Sequence, residues 1–111
     1  MEMQYLQQFI EDTDQMLLNK YDEPALVQTY GRMTKLMEEV GELAAEVLTS
    51  NKHQRDDKLI ENNNEALGDE FADVLITTML LAKNMNVDIW EAVERKMEKV
   101  RLKFMMGNVV R

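Results

Sequence analysis

Glu38, Glu39 and Glu42 set three carboxylates within five consecutive residues, and Glu70 and Asp73 repeat the pattern further along the chain. On a helix, spacings of three and four place such side chains on overlapping sectors of one face. Glu46 extends the first line by another turn, and Asp69 adjoins the second pair. Each like-charge pair at this spacing costs about 0.2–0.5 kcal/mol when exposed, and more once the carboxylates lose water. A hard divalent cation removes that penalty, because clustered carboxylate oxygens are its preferred ligands. Two readings follow: a solvated acidic face, common in a chain with 21 Asp and Glu, or a cation site spread over two helices. Two features favour the second. Met37, Val40 and Leu43 crowd one set of carboxylates, and Phe71, Ala72 and Val74 crowd the other. No basic residue follows at the next turn either, since Glu38, Glu39 and Glu42 look forward to Glu42, Leu43 and Glu46.

The kind of cation follows from the ligands on offer. The chain has no cysteine and one histidine, His53, which has no spaced partner and reads as an exposed loop residue. A di-iron centre in a helical bundle would want Glu-x-x-His pairs. An oxygen-only set favours Mg²⁺, with Mn²⁺ as an alternative, usually held jointly with phosphate oxygens and water. Carboxylates, such a cation and phosphate together imply phosphoryl-bond hydrolysis. With no glycine-rich phosphate loop in the sequence, the attacking group would be a water oriented by the site.

These residues need helices to position them. The 111 residues hold one proline and four glycines, which predicts helix nearly throughout and a single domain over residues 1–111. Leu6, Phe9, Ile10, Thr13, Met16 and Leu17 recur at helical spacing and predict a first helix over 3–20, with Gln7, Glu11, Asp14 and Gln15 on the opposite face. Pro24, preceded by Asp22 and Glu23, suits the first turn of a second segment. Around Gly31 that segment is either a short helix and a bend or one long helix, because glycine inside a helix costs about 1 kcal/mol. Met33, Leu36, Met37, Val40, Leu43, Ala44, Val47 and Leu48 define the main helix over about 32–48. Residues 49–58 lack periodicity and read as a loop. Leu67, Phe71, Val74, Leu75, Thr78, Met79 and Ala82 give a third helix over 66–82. Asn84-Met85-Asn86 marks a turn, and Asp88 with Glu91 resembles a capping box at the start of a fourth helix over 88–105. Ile89, Ala92, Val93, Met97, Val100 and Phe104 are its expected buried face, and residues 107–111 read as a loose tail. Trp90 reads as a core or interface anchor, and the methionines as fillers of irregular contacts. The fold class is therefore all-α, a four-helix bundle.

Leu36-Met37-Glu38-Glu39-Val40-Gly41-Glu42-Leu43-Ala44, followed by Leu67-Gly68-Asp69-Glu70-Phe71-Ala72-Asp73-Val74-Leu75, closely resembles the MazG-like, all-α nucleoside triphosphate pyrophosphohydrolases. Their pattern is E-E-x-x-E, a spacer, then E-x-x-D, and the resemblance covers about residues 28–105. It implies cleavage of a nucleoside triphosphate between the α- and β-phosphates, giving the monophosphate and pyrophosphate, often to clear surplus or non-standard nucleotides. Carried over, Glu39, Glu42, Glu70 and Asp73 would hold Mg²⁺. Glu38 would bind a further Mg²⁺ or orient and deprotonate the attacking water. The family's basic K-x-x-x-N-x-x-R pattern on the last helix resembles Lys96, Val100 and Lys103 here, with Val100 departing from the asparagine and Lys99 and Arg101 beside it. Lys96, Lys99 and Lys103 would contact substrate phosphates. Basic residues also suit the C-terminal end of any helix, whose partial charge is negative.

A net charge of −8 argues against nucleic-acid and acidic-membrane partners. With no spanning apolar run and no signal-like N-terminus, the expected location is cytoplasmic. Broad apolar stripes on so short a chain imply a homodimer or homotetramer. Two rival readings remain: a non-catalytic helical regulatory or scaffold protein, and another Mg²⁺-dependent phosphohydrolase that releases phosphate rather than pyrophosphate.

Overall fold

With helix breakers scarce and apolar residues at helical spacing, the chain forms four helices in the computed structural model: α1 (Met3–Lys20), α2 (Ala25–Lys52), α3 (Asp57–Asn84) and α4 (Ile89–Met105). The structure describes the backbone of residues 1–52 and 57–107 and the side chains of 1–50 and 65–107. The expected exposure of His53 and the tail at 108–111 lie outside the described residues. Among the described residues there is no strand, and no helix is long and apolar enough to cross a membrane.

The helix α1 spans the predicted residues, and its C-terminal amide at Tyr21 donates to Leu17 O at 3.1 Å. Gln28 Nε2 reaches back to Tyr21 O and Glu23 O, both at 3.0 Å, and pins the connection into α2. Gly31 does not interrupt α2, so the single long helix is the form adopted. The expected loop over 49–58 is shorter than periodicity suggested, because α2 continues to Lys52 and α3 starts at Asp57. Two long helices joined by so brief a connection fold back on each other. Thr29 donates to Asn84 Oδ1, and Arg32 donates to Leu80 O at 2.8 Å, so rising numbers on α2 meet falling numbers on α3. The antiparallel pair sets Glu39 opposite the turn of α3 that carries Glu70 and Asp73.

Packing of α1 against α3 buries Ile10 and Leu80, the most enclosed apolar side chains among the described residues. Asp14, expected on the polar face, is 5% exposed. Its carboxylate accepts from Arg32 Nη1 at 2.7 Å, which is why a charged residue takes a place in line with Ile10 and Leu17. Lys83 pairs with Glu11 at 2.8 Å on the outer edge of the same contact.

The turn after α3 closes as a Schellman motif. Val87 N donates to Ala82 O at 2.9 Å and Asn86 N to Lys83 O at 3.1 Å, with Asn86 at φ 59°. Asp88 then caps α4, its carboxylate accepting from Glu91 N at 3.1 Å as the sequence predicts. The buried face expected on α4 is not buried within the chain. Ile89 and Ala92 are half-buried, but Val93, Met97, Val100 and Phe104 are exposed. Among the described residues α4 touches α3 alone, so no other helix covers that face. A closed four-helix bundle is therefore not formed by one chain. The radius of gyration is 17.5 Å, against about 13 Å for a compact chain of this length.

Candidate metal centre

Three of the carboxylates come from one turn of α2 and two from the facing turn of α3. One oxygen from each of Glu38, Glu39 and Glu42 lies within 4.8 Å of the others, and the same holds for Glu39, Glu70 and Asp73. Glu39 belongs to both groups, so the five residues form one continuous acidic centre between two antiparallel helices. All five sequence-predicted carboxylates are thereby brought together. Asp69 is exposed and belongs to neither group, and Glu46 stands half-buried one turn beyond Glu42.

The centre is graded in depth. Glu39 is 6% exposed and Glu70 half-buried, while Glu38, Glu42 and Asp73 face water. Lys35 reaches forward to Glu38 Oε1 at 3.3 Å and Glu39 Oε1 at 3.2 Å. The turn ahead of each glutamate carries no basic residue, and the counter-charge lies one turn behind. Lys35 satisfies just one oxygen of Glu39. Among the described residues, Glu39 Oε2 and Glu70 Oε2 are both buried and have no hydrogen-bond partner.

An unpaired buried carboxylate oxygen is costly, and native folds keep few of them without a purpose. The charges confirm the tension. The Glu42 carboxyl is pushed above its ordinary range, first by the charge of Glu39 and then by loss of water. The Glu70 carboxyl is also pushed up, chiefly by burial, then by Glu42, Asp73 and Glu39. Lys35 is held protonated above its usual range by hydrogen bonds to Glu39 and Glu38. Two orphaned oxygens amid five carboxylates are a donor set that fits a hard divalent cation.

The basic residues expected at substrate stand elsewhere. Lys96, Lys99 and Lys103 are exposed on α4, and among the described residues that helix makes no contact with α2. Lys96 flanks the uncovered hollow formed with Val93, Met97, Val100 and Phe104. Arg101 is engaged by Glu98 at 2.7 Å. Among the described residues the cation that pairs with the acidic centre is Lys35, while Arg32, one turn before it, is engaged by Asp14. Both were legible in principle: Lys35 stands four residues before Glu39, and Asp14 falls in line with Ile10 at i+4. Trp90, in the first turn of α4, is half-buried and lines a hollow with Ile10 of α1 and Met79 of α3.

The sequence profile of the MazG-like family matches residues 33–107, which contain both acidic motifs. Comparison with curated proteins and with solved structures gives no match. With that match covering well over half its length, and with the two motifs meeting across α2 and α3, the chain belongs to the MazG-like family.

Proposed function

We propose that this chain hydrolyses nucleoside triphosphates to the monophosphate and pyrophosphate, as a cytoplasmic enzyme that clears unwanted nucleotides from the pool. The observation that carries the reading is the pair of buried, unpartnered oxygens Glu39 Oε2 and Glu70 Oε2 inside the five-carboxylate centre. Family membership supports nucleotide pyrophosphohydrolase-type chemistry.

In this reading Glu39, Glu42, Glu70 and Asp73 hold Mg²⁺, with Mn²⁺ as a substitute. When bound, the cation neutralises the carboxylates and the triphosphate and stabilises charge as it develops on phosphoryl oxygens. Glu38 faces water at the rim of the centre and orients the attacking water. As the new bond to the α-phosphorus forms, Glu38 takes the proton, the bond from the α-phosphorus to the bridging oxygen breaks, and pyrophosphate leaves with the electron pair. The half-buried setting between two rigid helices keeps these groups from rearranging as the reaction proceeds. Lys96, Lys99 and Lys103 contact the triphosphate from the α4 of a neighbouring copy in a homodimer or homotetramer.

A panel of canonical and modified nucleoside triphosphates, incubated with Mg²⁺ and followed by ³¹P NMR, tests the reading. Monophosphate and pyrophosphate in equal amounts are expected. Release of phosphate would assign a different phosphohydrolase, and no turnover by the assembled, Mg²⁺-loaded protein would overturn catalysis.

A further inference from the structure

Lys35 stands one turn before the acidic centre on α2, and its ammonium reaches two carboxylates at once, Glu38 Oε1 at 3.3 Å and Glu39 Oε1 at 3.2 Å. The two acceptors differ in setting. Glu38 is exposed, whereas the Glu39 side chain is 7% exposed, so a lysine that itself stands half in water ties a rim carboxylate to the buried one. Stability is a weak reason for this contact. Exposed ion pairs contribute little, and lysine ahead of glutamate is the poorer order for an i, i+4 pair on a helix.

What the contact does fix is a direction. The last torsion of a glutamate is broad and roughly two-fold, so a carboxylate with no donor on it turns at little cost. With Lys35 on one side, the two oxygens of Glu39 are no longer equivalent. Oε1 is held by the ammonium, which Glu38 steadies from the rim, and Oε2 is buried and, among the described residues, without a partner. A rival role, an ammonium that the cation must displace, is disfavoured by the supply of oxygens. Each of the five carboxylates carries two, and Lys35 occupies one on Glu38 and one on Glu39. Mg²⁺ usually draws on one or two protein carboxylates and completes its shell with water and phosphate oxygens, so enough remain with the lysine in place.

We infer that Lys35 is a positioning residue of the metal centre: by holding Oε1 it orients the Glu39 carboxylate so that Oε2 is the oxygen given to the cation. The inference rests on the metal site proposed above. A partner of this kind behind a metal ligand is worth about 10- to 100-fold in metal affinity. Charge alone predicts the opposite sign, because an ammonium repels a cation and its removal would tighten binding.

Isothermal titration of the full chain with Mg²⁺ reads that sign without turnover. K35M keeps a long side chain of high helix propensity and removes the ammonium. It should bind Mg²⁺ at least about tenfold more weakly than the wild type, with helix content by circular dichroism unchanged. K35R, which keeps a charged N–H donor, should recover most of the loss. Unchanged or tighter Mg²⁺ binding by folded K35M would overturn the inference, and so would equal weakening in K35R. A wild type that binds no Mg²⁺ would overturn the metal centre itself. A wild type that binds Mg²⁺ but splits no triphosphate would overturn the proposed reaction and leave the role of Lys35 standing.

Discussion

Glu39 holds the acidic centre together because it alone belongs to both carboxylate groups and is almost wholly buried. Replacing it or Glu70 with glutamine should abolish Mg²⁺ binding, a loss larger than the roughly 10- to 100-fold that follows removal of an outer-shell partner. Isothermal titration with Mg²⁺ measures this directly, and unaltered affinity in both variants would place the cation elsewhere. The raised carboxyls make a second prediction. Glu70 titrates above its ordinary value near 4.5 because it has lost water and sits among like charges. Between the unfolded and folded values the folded chain binds more protons, so metal-free stability falls as pH rises through that window. Thermal melts in EDTA should show the penalty growing from about pH 4.5 upward in the wild type, while E70Q, which cannot ionise there, loses that component. The melting temperature of E70Q relative to wild type should therefore rise with pH. Mg²⁺ affinity should rise with pH through the same window, since cation and proton compete for these oxygens.

Elements position those residues through a few polar contacts rather than a large apolar core. The Asp14–Arg32 pair joins α1 to α2, and the second bond from Arg32 to Leu80 O carries the link to α3. D14A leaves the guanidinium buried without its partner and should lower unfolding free energy by about 3–5 kcal/mol, measurable by urea denaturation. A loss under 1 kcal/mol would mean that the pair is dispensable. At the start of α4, D88A removes the cap on Glu91 N and should cost about 1 kcal/mol. Faster amide exchange confined to the first turn of α4 would accompany it.

On the scale of the whole molecule, the feature that matters is what one chain leaves uncovered. Val93, Met97 and Phe104 form an exposed apolar stripe on α4, flanked by Lys96. In the function proposed above the chain completes itself by association, and Lys96, Lys99 and Lys103 reach a neighbour's acidic centre. Sedimentation velocity should show a dimer or larger species, and M97E combined with F104E should shift it toward monomer and reduce turnover together. A fully active, monomeric double variant would remove the neighbour from the site.

Periodicity alone determined the helices, since α1 and the cores of α2, α3 and α4 follow directly from apolar spacing and capping residues. Composition also determined the oxygen-only character of the centre, and spacing determined which carboxylates share a face. These are local properties, fixed by which residues lie three or four apart. What the tertiary structure decided is everything that depends on the antiparallel return of α3 along α2. That return brings Glu70 and Asp73 to Glu39 and leaves two oxygens buried without partners. It also turns Asp14 and Arg32 from surface charges into a buried pair. Lys35 was legible in the sequence as the residue four before Glu39, and what the tertiary structure decided is that the carboxylate it pairs with is buried. The exposure of α4 was hidden for the converse reason: an apolar stripe records that a helix needs covering, not whether its own chain provides the cover.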